Sequence, residues 1–145
     1  MSDPGLLSIY RRTVWSVDAP DGRVTVRPAT PAPASLRPST IVTAYNPASQ
    51  PPSTGQNERA DRALLGRIRA LGVHPWRTLA HGTGSDAAAW DEPGWCLPGD
   101  TCDAAIALGR DFGQNAIVWI SAAGEVAMVC TRDGFCGARV GEVVG

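Results

Sequence analysis

The sequence predicts an α+β fold: a single largely antiparallel sheet with two main helices packed on one face, a split βαβ-like core and an N-terminal hairpin. Three observations carry this prediction. Two stretches with helical spacing, 56–71 and about 101–112, are each flanked by short apolar or alternating runs, so strands precede, separate and follow two helices. Asp21-Gly22 stands between Val14–Val17 and the strictly alternating Arg23-Val-Thr-Val-Arg27, which signals a hairpin. Ala116–Ile120 is a near-continuous apolar run, as expected of a strand buried on both faces, and Ala122-Ala-Gly124 turns it back into Glu125–Cys130.

The elements follow in order. Residues 1–9 form either a short helix or a frayed end. Tyr10–Val17, rich in β-branched and aromatic residues, reads as the first strand. Asp18–Gly22 turns the chain, and Arg23–Arg27 returns with Val24 and Val26 on the buried face. Pro28, Pro31, Pro33 and Pro38 exclude a regular element across 28–39. That stretch reads as an internal crossover loop, because the hairpin before it is too small to be stable alone. Ser39–Tyr45 is a short apolar strand ended by Asn46-Pro47. Residues 48–55 form a loop, and Ser53 or Thr54 caps the next helix.

Gln56–Leu71 is the clearest helix. Leu64, Leu65, Ile68 and Leu71 make its apolar stripe, Arg59, Arg62, Arg67 and Arg69 lie largely off it, and Gly72 caps its end. Trp76–His81 is a strand, Gly82–Gly94 a polar loop carrying Trp90, Asp91 and Glu92, and Trp95–Leu97 a short strand. Asp100 or Thr101 caps the second helix, which Gly113 stops. The tail is either an edge strand or loose over 137–145. All of 1–145 is expected to form a single domain, a length that suits one core.

Composition excludes several classes of function. With 43% apolar residues the chain can build a core, and a net charge of −1 gives no electrostatic footprint for nucleic acid. All thirteen basic residues are arginine, which excludes Schiff-base and phosphate-loop lysine chemistry. No run approaches the roughly 20 apolar residues of a membrane span. The first residues lack a basic stretch followed by an apolar one, so a cytoplasmic location with reduced cysteines is expected.

The candidate chemistry gathers around Asp111–Trp119. Gln114 and Asn115 sit together at a helix–strand junction, where an ordinary turn does not need both amides. If the strands 39–45 and 116–120 run antiparallel, Asn46 and Asn115 meet at one end of the sheet, within reach of Asn57 and Arg59 on the first helix. Tyr45, Asn46, Asn57, Arg59, Trp90, Gln114 and Asn115 are therefore the candidate ligand-binding residues. Amides with an arginine suit a planar polar group or an anion; the plainer alternative is that the amides tie down loops. The leading expectation is a small binding or interaction domain whose partner is a small polar or anionic ligand or another protein, with no cofactor.

Two alternatives stand beside it. Glu92 is the best candidate general acid or base, flanked by Trp90 and Trp95, which would desolvate it and raise its pKa. Cys96, Cys102, Cys130 and Cys136 supply the four thiolates of a tetrahedral zinc site, although five residues between paired ligands is off the usual spacing. Cys102, near a helix N-terminus, is a candidate for a lowered pKa, while Cys96 and Cys130 read as core residues. His74 reads as a helix-exit residue and His81 as a loop residue, without metalloprotease spacing.

Three stretches resemble the DUF3293 family of small, mostly bacterial proteins: Thr43-Ala-Tyr-Asn-Pro47, Asn57-Glu-Arg59 leading into Leu64-Leu65, and Phe112-Gly-Gln-Asn-Ala-Ile-Val-Trp119. The hairpin from Tyr10 to Val26 is also similar to the family's start. The resemblance spans roughly residues 6–130 and implies a shared fold and a shared site, with no activity attached. Trp90-Asp-Glu92 is similar to a family segment that also carries a serine, which this chain lacks, and the cysteine-rich ending departs from the pattern.

Overall fold

The protein is described here by a computed structural model covering residues 4–46, 53–82, 91–132, 141 and 143–144. Its helices are α1 (Pro4–Arg11), α2 (Thr54–Ala70) and α3 (Cys102–Asp111). Its strands are β1 (Thr13–Ala19), β2 (Gly22–Val26), β3 (Ser39–Val42), β4 (Trp76–Gly82), β5 (Asp91–Pro98), β6 (Ala116–Ile120), β7 (Val126–Cys130) and the two-residue β8 (Val143–Val144). Among the described residues they form one curled sheet in the order β2-β1-β4-β5-β3-β6-β7-β8, antiparallel at every pairing. The fold is therefore α+β on a single antiparallel sheet.

Several boundaries differ from the sequence reading, each for a local reason. Tyr10 ends a helix and does not begin a strand. The tyrosine's strand preference is a packing preference, and here its ring packs from α1 onto Trp15 at 5.7 Å between centroids. The Thr13 hydroxyl donates to the Ile9 carbonyl (2.7 Å), which closes the helix end. β3 stops at Val42, short of Tyr45, because Thr43 leaves the ladder: its hydroxyl donates to the Pro93 carbonyl (2.8 Å) and accepts the Tyr45 N–H (3.0 Å).

β5 is longer than expected and begins at Asp91, so Asp91 and Glu92 lie on a strand and not in a loop. Pro93 is tolerated inside it because β3 has already ended on the side where Thr43 takes its carbonyl. The proline-rich stretch holds a 3-10 turn at Ala34–Leu36, with Ala32 and Leu36 buried. The Ala32 N–H donates to Gly124 O (2.8 Å), which ties the stretch to the β6–β7 turn. His81 sits on β4, not in a loop. The tail reaches β7 through β8, and the remainder of 137–145 lies outside the described residues apart from Gly141.

Alternating side chains divide the core into two clusters. Trp15, Val17, Ile41, Ala80, Cys96, Val118, Ile120 and Met128 join Tyr10 of α1 and Leu36. Val42, Leu97, Ile117 and Val129, their neighbours along the same strands, join Leu64 and Ile68 of α2 and Ala105 and Leu108 of α3. Leu71 departs from the predicted stripe: it caps α2 and is 54% exposed.

Candidate functional site

The first cluster does not close. Where α1, β1, β3, β4, β5 and β6 meet, a cavity of about 370 Å³ opens on that face of the sheet. The strand registers explain its position. Trp15 pairs with Ala80, and Ala80 with Glu92, in one row across β1, β4 and β5; Thr78 pairs with Gly94 in the next. Ala80 is small, so its row leaves space, while at Gly94 the neighbours approach the backbone closely. A Cβ on Gly94 would lie 2.9 Å from both Thr78 Oγ1 and the Val42 carbonyl. Ile9 and Tyr10 of α1 form part of the lining, and Ile41, Val118 and Met128 supply much of its apolar wall.

Glu92 is the carboxyl of this cavity. Its Oε2 accepts a hydrogen bond from the Asn46 carboxamide (3.2 Å), and its Oε1 has no partner among the described residues. Burial pushes its pKa up to about 7, against a weaker downward pull from Asn46. Of the tryptophan pair expected to desolvate it, the described residues place only one. Trp95 points away with the second cluster, under the Arg77 guanidinium at 4.3 Å, and Trp90 lies outside the described residues.

Asn46 is held in place from α2. It adopts a left-handed backbone (φ +50°), which asparagine tolerates better than most residues. Its N–H donates to Asn57 Oδ1 (3.0 Å), and Asn57 Nδ2 donates to Asn46 Oδ1 (3.0 Å). Asn57 is buried and lies behind Asn46, outside the cavity lining. The chain is thus Asn57 to Asn46 to Glu92.

Gln114 and Asn115 reach the cavity from the other side. The Gln114 amide donates to Tyr45 O (3.0 Å), bonding the α3–β6 junction to the chain after β3. The Thr131 hydroxyl donates to Gln114 O, and Asn115 Oδ1 accepts from Arg132 Nη1 (3.1 Å). Tyr45, Asn46, Gln114 and Asn115 all line the cavity, and the antiparallel β3–β6 pairing is what brings them together. Arg59 is not brought in: it is exposed on α2 and absent from the lining.

The sequence reading missed Thr13, Thr78, Ala80 and Met128, and the role of α1. Gly94 was the available signal, since a glycine inside a strand marks a close approach. At the mouth, Asp91 Oδ1 and His81 Nδ1 lie 2.5 Å apart. Tyr10 donates to Val126 O (3.3 Å), and burial pushes its pKa up to about 12, so it stays protonated.

The cysteines do not converge. Cys96 and Cys130 belong to the first cluster and Cys102 packs against the second, on opposite sides of the sheet; Cys136 lies outside the described residues. Among the described residues no group of three metal-ligating side chains occurs. Cys96 is pushed up to about 11 by burial. Cys102 is raised and not lowered, by burial first and then by the charges of Asp103 and Asp100.

Fold and site together define an α+β protein with a ligand-sized cavity on one face of an antiparallel sheet. A family model described as a protein of unknown function (DUF3293) matches residues 42–117, just over half of the chain, and the protein belongs to that family. The match runs from the end of β3 to the first residues of β6, and so takes in Asn46, Asn57, Glu92, Gln114 and Asn115. No curated protein and no solved structure matches the chain.

Proposed function

We propose that the cavity is a binding site for a small organic molecule with an apolar body and a hydrogen-bonding head. One observation carries this reading: a cavity of about 370 Å³, within the usual range for ligand sites, places a half-buried carboxyl, one oxygen of which has no partner among the described residues, against an aromatic and aliphatic wall. The amides act as its frame, since Asn46, Asn57 and Gln114 each donate to another group of the protein.

On the same reading, β3–α2–β4 and β5–α3–β6 are two split β–α–β units with interleaved strands, and both helices back the face opposite the cavity. The order β4-β5-β3-β6 and the separation of the two clusters support this. We place the protein in the cytoplasm; among the described residues no helix is long and apolar enough to cross a membrane.

A ligand-observed NMR screen of small fragments tests the binding site. Hits are expected that disappear in Ala80→Leu, whose longer side chain fills the cavity, provided that variant keeps its thermal transition. A screen whose hits are all indifferent to Ala80→Leu would remove the reading.

A second reading has its own support. Burial pushes the Glu92 pKa up to about 7, where a general acid or base works best, and Glu92 lines the cavity. If Glu92 is catalytic, a turnover found by substrate screening will show a pH limb near 7 that Glu92→Gln abolishes. A turnover with the same pH profile in both proteins would exclude it.

A further inference from the structure

We propose that the head group this cavity selects is a cation, such as a protonated amine or an amidinium. The inference rests on the reading that the cavity holds a ligand, and adds the charge of that ligand. It reverses the expectation of an anion, which depended on Arg59.

The lining carries two carboxyls, Asp91 and Glu92, where an anion would need positive charge. The hydroxyl hydrogens of Tyr10, Thr13 and Thr43 go to backbone carbonyls of Val126, Ile9 and Pro93. One carboxamide hydrogen of Asn46 goes to Glu92, and the Gln114 amide donates to Tyr45 O and Phe112 O. Against these the lining sets two carboxyls, Asp91 and Glu92, and the Glu92 Oε1 has no partner among the described residues. Among the described residues no arginine or histidine lines the cavity. Arg132, Arg77 and His81 lie outside the lining and are paired there, with Asn115 Oδ1, Asp61 and Asp91 respectively. Trp15 and Tyr10 complete a wall on which the carbon skeleton of an amine can lie, and aromatic faces attract cations.

The titratable groups around Glu92 are Asp91 beside it on β5, His81 across from Asp91 on β4, Tyr10 on α1 and Tyr45 after β3, with Arg132 beyond Asn115. Tyr10 stays protonated up to about pH 12. Binding an ammonium requires Glu92 ionised, so affinity rises with pH until Glu92 has lost its proton, near 7.

The test uses three probes of equal length: hexylamine, hexanol and hexanoate. The full-length protein is titrated with each, following the Trp15 indole and Met128 methyl resonances. Hexylamine is expected to bind at least tenfold more tightly than hexanoate at pH 7.5. Its Kd should tighten by about tenfold per pH unit between pH 5 and 7 and then level. Glu92→Gln should close the gap between hexylamine and hexanol. If the three probes bind alike, or hexanoate binds best, the cation is overturned and the binding site stands. If none of them moves Trp15 or Met128, the binding site falls with it.

Discussion

Glu92 and Gly94 lie two residues apart on one strand and define the site in opposite ways, one by a charge and the other by a missing atom. Burial holds the Glu92 proton more tightly in the folded protein than in the unfolded chain. Its contribution to stability is therefore full below the unfolded pKa near 4.5 and is lost as pH rises through about 7, an effect on the order of 3 kcal/mol. Urea unfolding at pH 5 and pH 8 should show this fall in the wild type and a flatter profile in Glu92→Gln. Gly94→Ala is expected to cost about 1–3 kcal/mol, because its Cβ meets a backbone carbonyl and a buried threonine that have little room to move. A denaturation midpoint within error of the wild type would show that the sheet yields there. The sequence offered Glu92 as an acid or base but placed it in a loop between two tryptophans. The structure puts it on a strand, in the lining of a cavity whose other walls come from residues far away in sequence, which periodicity does not report.

Helix α2 was the most legible element, and its ends show how far legibility reached. Ser53 accepts the Gln56 N–H (3.2 Å), and Gln56 Oε1 accepts the Ser53 N–H (3.0 Å), a capping box that sequence narrowed to two candidates. Ser53→Ala should lower stability by about 1 kcal/mol. The stripe was legible at Leu64 and Ile68 and failed at Leu71. Spacing predicts which residues share a side of a helix, while the length of the facing sheet decides how many of them are covered. Thermal unfolding should separate the two cases: Ile68→Ala is expected to cost about 2–5 kcal/mol, and Leu71→Ala a small fraction of that. Equal losses would mean that Leu71 packs against something in solution. Thr101 is the N-cap of α3, but its hydroxyl donates to Leu97 O (2.9 Å) instead of capping, so the chemistry of a cap residue was read correctly and its use was not.

At the scale of the whole molecule, the sheet order sets which parts open first. β3 and β6 lie inside the sheet, with β3 bonded to β5 and β6, whereas β2 is bonded to β1 alone among the described residues. Amide exchange should accordingly be slowest at Ile41 and Val118 and faster on the outer edge of β2. Exchange of all these amides at one rate would mean that the molecule opens only globally. The sheet is tied to α2 by Arg77, which bonds both oxygens of Asp61 at 3.0 Å while lying over the Trp95 ring. The sequence by itself determined the local terms: the class of fold, the hairpins, the positions of α2, α3 and β6, and the residue types that a polar site would use. Each of these is written in neighbours a few positions apart, through turn chemistry and side-chain period. Only the tertiary structure decided which face of each strand meets which neighbour, and that choice made the cavity. It set Ala80 beside Glu92 and Thr78 beside Gly94, placed Trp95 and Cys102 with the other cluster, left Arg59 in solvent and brought α1 over Trp15. Those outcomes depend on strand order and register, which are fixed by the burial of the whole sheet rather than by any one segment.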